Sequence, residues 1–233
     1  MTINTTERLR EMGLTPIWRR RASTPDAGAV AAVPSRSETI ALLEWDTLVA
    51  HIAGCTACAL CKTRKKTVPG VGPQTAQWMF VGEGPGAEED AVGEPFVGQG
   101  GRLLDNMLKA IGLSRNKDSY ITNVVKCRPP GNRDPELVEV AECSPYLARQ
   151  VELQKPKLIV ALGKFAALTL LNTDATVSSL RGRVHDYRGV PLIVTYHPAY
   201  LLRNLPEKAR AWEDLLFAKR TFAGLQSGES AQT

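Results

Sequence analysis

The sequence predicts an α/β fold, a three-layer α/β/α sandwich around a short, mostly parallel four-stranded sheet. Four apolar runs are short enough to be strands, and they cover residues 77–82, 120–125, 157–163 and 190–196. Segments with apolar residues at helical spacing lie between these runs. Because strands and helices alternate along the chain, the strands should pair in parallel and the helices should cover both faces of the sheet.

Helices are predicted in chain order around these strands. Before the first strand, Ile40, Leu48 and Ile52 have roughly helical spacing. An apolar stripe that starts at Leu103 is stopped by Gly112, and the next stripe follows a proline at position 135. The last two helical patterns cover residues 164–171 and about 206–222.

The chain is expected to hold one main domain, because 233 residues are enough to bury one sizeable core. Residues 38–222 should form this domain. Residues 1–37 are expected to be an N-terminal extension, in which a short helix ending near Gly13 precedes a flexible linker rich in Ala, Ser, Pro and Gly. Residues 223–233 should be a disordered tail. The extension could serve as the binding segment for a protein partner.

Composition indicates a cytoplasmic protein that acts away from membranes. The N-terminus lacks the apolar core of a secretory signal, and no apolar run approaches the ~18 residues of a membrane span. A net charge of +5 favours an anionic partner, though only weakly. A monomer is the default expectation. In a reducing compartment five cysteines are poor evidence for disulfides, so metal binding is the stronger hypothesis.

The cysteines are three closely spaced residues followed by two distant ones, namely Cys55, Cys58, Cys61, Cys127 and Cys143. The first three match the start of a bacterial ferredoxin pattern, but its fourth position falls on Lys65, so a remote ligand must complete any site. A zinc ribbon would prefer a second short-spaced pair. Spacing therefore favours an iron–sulfur cluster over zinc, with ordinary buried thiols as a third interpretation.

Polar residues collect where the predicted strands end, which is where open α/β sheets bind ligands. After the first strand, "GEGPGAEED" does not match the dinucleotide motif G-x-G-x-x-G. Pro85 has no N–H to offer a phosphate, and the acids that follow would repel one. Asn123 lies in a strand-like run, so it is either a residue of the sheet edge or a reader of a ligand. The proline that follows His197 holds the backbone of this histidine in an extended conformation, and the sequence is equally consistent with a structural and a catalytic role for its side chain.

Four motifs taken together resemble a known family. They are "CTAC", "GEGPGAEEDAVGEPFVG", "ITNVVKCRPPGNR" and "HPAYLLR", in this order and at these separations. The chain is thereby similar, over roughly residues 50–220, to the family 4 uracil-DNA glycosylases, the iron–sulfur members of their superfamily. The resemblance implies the uracil-DNA glycosylase fold. It also implies a monofunctional enzyme that flips uracil out of DNA and hydrolyses its N-glycosidic bond in base excision repair.

The resemblance further implies a cofactor and a base pocket. A structural [4Fe–4S] cluster would be held by Cys55, Cys58, Cys127 and Cys143, which leaves Cys61 as a spare thiol. In the pocket, Phe96 would stack on the flipped uracil, and Asn123 would bind its Watson–Crick edge. His197 would donate to a uracil carbonyl oxygen as charge builds on the departing base.

The attacking water has no obvious base in this sequence. Better-known uracil glycosylases carry an aspartate directly before the proline of the first motif, where this chain has Gly84. Backbone amides of Gly84 and Gly86 could line the pocket, but neither offers a carboxylate. The available acids are Glu83, Glu89 and Asp90. Of these, Glu83 and Glu89 are the first candidates to position the water, and the sequence does not separate them.

DNA contacts are implied on both sides of the pocket. Tyr200, Leu201 and Leu202 are candidates to fill the gap left by the flipped base, unless the leucines of this loop belong to the core. Phosphate contacts are expected from the basic residues Lys126, Arg128, Arg133 and Arg203. The loop after the asparagine motif has no basic insert, so ordinary turnover without a covalent intermediate is expected.

Two other interpretations are open. The first is a non-catalytic iron–sulfur scaffold that binds DNA for a replication or repair partner, and the second is a zinc-bound nucleic-acid module. Phe96, Asn123 and His197 together favour the enzyme over the scaffold, because a scaffold needs none of them.

Overall fold

The computed structural model describes residues 5–14 and 34–228, and in this part of the chain five strands form one sheet. The spatial order is β2-β1-β3-β5-β4, with β1 (Trp78–Gly82), β2 (Ser119–Asn123), β3 (Leu158–Leu162), β4 (His185–Tyr187) and β5 (Val190–Thr195). The four predicted strands pair in parallel, as expected, and β4 runs antiparallel to β5 at the sheet edge. The mostly parallel α/β sheet is therefore confirmed, with one strand more than predicted.

The chain divides into two units, residues 1–35 and 36–233. In the first unit, the predicted short helix near Gly13 is present as α1 (Thr5–Glu11). The second unit holds the sheet and the remaining helices of the described residues, which are α2 (Arg36–Ala41), α3 (Trp45–Ala53), α4 (Ala87–Val92), α5 (Gln99–Ala110), α6 (Leu137–Gln154), α7 (Lys164–Leu171), α8 (Val177–Leu180), α9 (Pro198–Arg203) and α10 (Glu207–Ser227). Most of the predicted linker, and residues 229–233 of the predicted tail, lie outside the described residues.

The predicted start of the tail at residue 223 is wrong, because α10 continues to Ser227 and ends at Gly228. Two contacts anchor its last turns to the sheet. The ring of Phe222 lies 4.5 Å from that of Trp78, and Gln226 Nε2 donates to Gln77 Oε1 at 3.2 Å. Gly228 has φ 78°, a conformation typical of the residue that ends a helix.

Both faces of the sheet are covered by helices. Side chains alternate along β1, so that Met79 and Val81 join a core with Leu147 of α6 and Ala166 of α7. Trp78 and Phe80 point to the opposite face and pack with residues of α5 and α10 such as Leu104, Leu108 and Ala218. Burial on both faces explains why the parallel strands read as unbroken apolar runs in the sequence. Within residues 5–14 and 34–228, no helix has the length and apolar character that crossing a membrane requires.

Candidate active site

A cleft of about 840 Å³ opens at the carboxyl ends of the four parallel strands. The loops after β1, β2, β3 and β5 all contribute to it, as expected for an open α/β sheet. Ten of the sequence-predicted site residues line the cleft, namely Glu83, Gly84, Gly86, Glu89, Phe96, Asn123, Arg133, His197, Tyr200 and Arg203. The structure therefore brings the predicted base pocket together from three separate motifs.

Asn123 presents an unpaired polar group to this cleft. It is the last residue of β2 and is 2% exposed, and its Oδ1 atom has no hydrogen-bond partner among the described residues. A buried acceptor without a partner costs about 1–3 kcal/mol. The amide is thus arranged to accept a hydrogen bond from a ligand.

Gly82 makes room for both Asn123 and Phe96. It pairs with Asn123 in the register of β1 and β2. A Cβ atom at this position would overlap Asn123 Oδ1 and would lie 2.6 Å from Phe96 Cζ. The backbone of β1 therefore forms the floor under the two side chains.

Replacing Gly82 with Ala is expected to slow the reaction of this site by roughly tenfold to 100-fold, because the added methyl group displaces both side chains by a fraction of an ångström or more. The rate should be measured together with the thermal melting curve. A folded Gly82→Ala protein with the wild-type rate would contradict the placement of Asn123 and Phe96 in the working site.

Phe96 forms a wall of the cleft in a strained backbone conformation. Its φ of 56° lies in the left-handed region, which costs a residue other than glycine about 1–3 kcal/mol. Arg115 holds this conformation by donating to the carbonyl oxygens of Pro95 and Phe96, each at 2.7 Å. Gly101 packs so closely that a Cβ atom there would overlap the Phe96 carbonyl. The Phe96 ring stacks on His197 with centroids 5.4 Å apart.

His197 is fixed as a neutral donor. Its Nδ1 accepts a hydrogen bond from the backbone N–H of Ala199 at 3.1 Å, so the proton of the neutral ring is on Nε2. Burial lowers the pKa of His197 to about 4, Arg203 lowers the pKa further, and Glu89 acts in the opposite direction. Gly163 allows the ring its position, since a Cβ atom there would lie 2.7 Å from His197 Cβ. Near neutral pH the imidazole therefore offers an N–H without carrying a charge.

Glu89 is engaged in holding the loops of the cleft. One carboxylate oxygen accepts from the backbone N–H of Gly86 at 3.0 Å. The other oxygen accepts from the N–H groups of Val97 and Gly98 at 3.0 and 3.2 Å. Both carboxylate oxygens therefore already accept hydrogen bonds from backbone amides, one that precedes Phe96 in the sequence and two that follow it. The geometry favours Glu83 over Glu89 as the acid that meets a water.

Glu83 has the electrostatics expected of a base. It is half-buried in the cleft wall, and burial together with the negative charge of Asp134 raises its pKa to about 7. Asp134 was not among the sequence-predicted residues, and only its position in the fold reveals its effect. The neighbouring Gly84 leaves little room for an aspartate, because a Cβ atom there would lie 2.7 Å from Val125 Cγ2.

Two predicted DNA contacts are wrong. Lys126 is 1% exposed, and its ammonium donates to Thr122 Oγ1, the Asn123 carbonyl oxygen and Gln150 Oε1, each at 2.7 Å. Burial lowers the pKa of Lys126 to about 7, although the thiols of the neighbouring cysteines raise it. Leu201 is 1% exposed and packs in the core between α5 and α10. Neither side chain can reach DNA.

The other basic candidates have different surroundings. Arg133 lines the cleft, but its guanidinium binds the buried Glu139 through two hydrogen bonds of 2.9 and 2.7 Å. Arg128 lies outside the cleft wall and donates to Asn132 Oδ1 at 2.6 Å. Arg203 is exposed at the rim. Their contacts with DNA stay predictions.

The rim of the cleft also includes Tyr200 and Lys164. Tyr200 stacks on Tyr196 with ring centroids 5.4 Å apart. Leu202, next to the buried Leu201, is 37% exposed, and Lys164 begins α7 at the edge of the cleft. Lys164 was not among the sequence-predicted site residues.

All five cysteines line a second, smaller cavity. Cys127 and Cys143 are buried, and the other three are half-buried. Two cations face the sulfur atoms: Arg64 donates to Cys127 Sγ at 3.2 Å and Arg36 to Cys55 Sγ at 3.5 Å. Among the described residues, no three His, Cys, Asp or Glu side chains form a group that could hold a metal ion.

Comparison with known proteins identifies relatives over most of the chain. The family model described as "Uracil DNA glycosylase superfamily" matches residues 69–216. A type-4 uracil-DNA glycosylase of Archaeoglobus fulgidus is 48% identical over 165 residues, which are 67% of this chain and 82% of the relative. Proteins of the same name from Saccharolobus solfataricus and Thermotoga maritima are 41% and 44% identical, over 76% and 72% of this chain and 86% and 90% of their own lengths.

Proposed function

The chain belongs to the uracil-DNA glycosylase superfamily, and on this premise we propose that it excises uracil from DNA by hydrolysing the N-glycosidic bond, as a monofunctional enzyme of base excision repair. The observation that carries this proposal is the buried, unpaired Oδ1 of Asn123 beside the stacked rings of Phe96 and His197. A flat base that enters the cleft would lie against Phe96 with its edge toward Asn123.

The carboxamide of Asn123 suits uracil and disfavours cytosine. Uracil offers an N–H donor at N3 next to a carbonyl acceptor at C4. The side chain of Asn123 has an acceptor and two donors in the complementary arrangement. Cytosine has an acceptor at N3 and a donor at C4, so it would leave the buried oxygen unpaired. The cost of that unpaired oxygen is the physical basis of the proposed selectivity.

The neutral His197 ring would act on the departing base. Its Nε2–H can donate to a uracil carbonyl oxygen, where negative charge grows as the glycosidic bond breaks. A neutral donor is suited to this part because it stabilises the anion without transferring its proton beforehand. Glu83, with its raised pKa, would orient or deprotonate the attacking water.

Release of uracil from a labelled oligonucleotide with a single uracil tests the proposed activity. Wild type should release the base, and Asn123→Ala should be slower by roughly tenfold to 100-fold, because one buried hydrogen-bonding group is worth about 1–3 kcal/mol. Asn172→Ala, which changes an exposed asparagine outside the cleft, is the matched control. Failure of wild type to release uracil from either single- or double-stranded substrate would refute the glycosylase and favour the non-catalytic scaffold.

We also propose that Cys55, Cys58, Cys127 and Cys143 hold a [4Fe–4S] cluster. The donor set fits, because these four thiols line one cavity and two arginines face their sulfur atoms. A single ion requires its ligands within about 2.3 Å of one centre. A cluster instead places each thiolate on a separate iron. When bound, the cluster would join the segment before β1, the loop after β2 and α6.

Cysteine replacements should separate the ligands from the spare thiol. Cys58→Ser should lose the broad visible absorbance of the purified protein, whereas Cys61→Ser should keep it, with roughly four iron and four sulfide per chain. Both residues line the cavity, so they form a matched pair. Equal loss from both variants, or zinc in place of iron in wild type, would contradict the assignment.

We also propose which residues contact DNA, and the oligomeric state, location and protein partner of the enzyme. Arg128, Arg133, Tyr200 and Arg203 are proposed DNA contacts, supported by their positions at or near the cleft. A monomeric state, a cytoplasmic location and a protein partner for residues 1–37 rest on the sequence alone.

A further inference from the structure

The buried ammonium of Lys126 lies between the proposed uracil site and the proposed cluster. It follows β2 by three residues and directly precedes Cys127. Its three acceptors, each at 2.7 Å, come from Thr122, Asn123 and Gln150. Three acceptors around one nitrogen match the three hydrogen atoms of an ammonium. Burying the charge of a lysine is costly unless every hydrogen of the ammonium is paired. The three hydrogen bonds of Lys126 therefore indicate a specific structural role for its ammonium, which an apolar side chain of the same size could not fill.

The partners of Lys126 are themselves fixed. The Thr122 hydroxyl donates to the Pro69 carbonyl oxygen at 2.8 Å while it accepts from Lys126. The Gln150 amide donates to the same Pro69 oxygen at 2.8 Å and to the Tyr120 hydroxyl at 3.1 Å. The network therefore ties the end of β2 to α6 and to the segment before β1.

One of the three bonds reaches the residue that faces the cleft. Lys126 donates to the backbone carbonyl of Asn123, the last residue in the ladder between β1 and β2. The side chain of the same residue lines the cleft, and its Oδ1 has no hydrogen-bond partner among the described residues. Holding the carbonyl fixes the peptide plane from which this side chain extends.

We infer that Lys126 is a positioning residue for Asn123, which aligns the carboxamide with the edge of the base; this inference rests on the proposed uracil excision. Lys126 touches neither the base nor DNA. Its contribution is to the placement of an amide that must meet the substrate within a fraction of an ångström.

A double-mutant cycle tests this inference. Lys126→Met removes the donor and keeps the length of the side chain. At saturating enzyme and matched iron content, it should slow single-turnover uracil release by about tenfold to 100-fold, and no more than Asn123→Ala does. In the Asn123→Ala background the same replacement should cause no further loss, because Lys126 acts through that side chain. DNA affinity should stay at the wild-type value.

Gln154→Met is the matched control. Gln154 is one turn from Gln150 in α6, is 6% exposed, and donates to the Ala76 carbonyl oxygen at 2.7 Å without contacting Asn123. It should lower the melting temperature without a selective loss of rate. The inference would be overturned if the rate losses of Lys126→Met and Asn123→Ala multiplied in the double mutant. It would also be overturned if Lys126→Met and Gln154→Met lost equal rates, and Lys126 would then be a residue that only stabilises the fold.

Thr122→Val supplies a second test if Lys126→Met does not fold. Valine keeps the shape and removes one of the three acceptors, so a loss of about fivefold is expected. This loss should again vanish in the Asn123→Ala background, and its persistence there would overturn the inference. Wild type in the same assay distinguishes failure of this inference from failure of the proposed function. A wild-type protein that releases no uracil refutes the proposed function itself.

Discussion

Replacing His197 with Ala is expected to slow uracil excision by about 10²–10³-fold, the usual loss when one donor to a developing anion is removed. The loss should fall on the bond-breaking step, because the ring is a neutral Nε2–H donor fixed by Ala199 and stacked on Phe96. Single-turnover rates at saturating enzyme would isolate this step from DNA binding.

His185→Ala is the matched control for this prediction. His185 lies in the edge strand β4, outside the cleft, and its Nε2 is within 2.7 Å of the Leu180 carbonyl oxygen. It should keep nearly the wild-type rate. A His197→Ala enzyme within a few-fold of wild type would mean that the departing base is stabilised elsewhere in the cleft.

Replacing Glu83 with Gln is expected to slow excision by about 10²-fold and to change its dependence on pH. Burial and Asp134 raise the pKa of Glu83 to about 7, so the fraction of ionised base grows as the pH rises through this value. The wild-type rate should therefore rise toward a plateau above pH 7, whereas the Glu83→Gln profile should be flat there. Glu88→Gln, in an exposed neighbour, should keep the wild-type profile.

The same pKa shift should appear in the stability of the fold, with a defined sign. The pKa of Glu83 is raised from 4.5 to about 7 on folding, so the folded state holds this proton more tightly than the unfolded chain. Its contribution to stability is therefore complete below pH 4.5 and is lost as the pH rises to about 7. Glu83→Gln should remove this part of the pH dependence of the melting temperature, and an unchanged dependence would argue against the raised pKa.

The sequence was sufficient to predict strands that have a clear apolar pattern and the site residues that lie at the ends of those strands. The four long strands could be predicted because strands buried on both faces read as continuous apolar runs. Asn123 and His197 could be found because each is a polar residue at the end of such a run. The fifth strand, His185–Tyr187, was missed because three residues at a sheet edge, none of them buried, leave no periodic apolar pattern.

Other features could not be predicted, because they depend on contacts between residues that are distant in the sequence. A lysine in a basic loop is normally exposed, and only the approach of Thr122 and Gln150 explains why Lys126 is not. Of the two adjacent leucines, Leu201 packs in the core and Leu202 faces outward, because successive residues of a helix point to different sides. Likewise, the three backbone amides that occupy Glu89 come from loops that the sequence alone does not bring together.

The wall at Phe96 is held in its strained conformation by contacts within the protein, from Arg115 and Gly101. A pocket wall that rests on contacts within the protein keeps its shape once the base has been cut free. Free uracil meets the same ring, the same unpaired amide oxygen and the same imidazole N–H, with no cost of ordering the protein. The product is therefore expected to compete with fresh DNA for the cleft, so that the turnover of this enzyme depends on how quickly uracil leaves it.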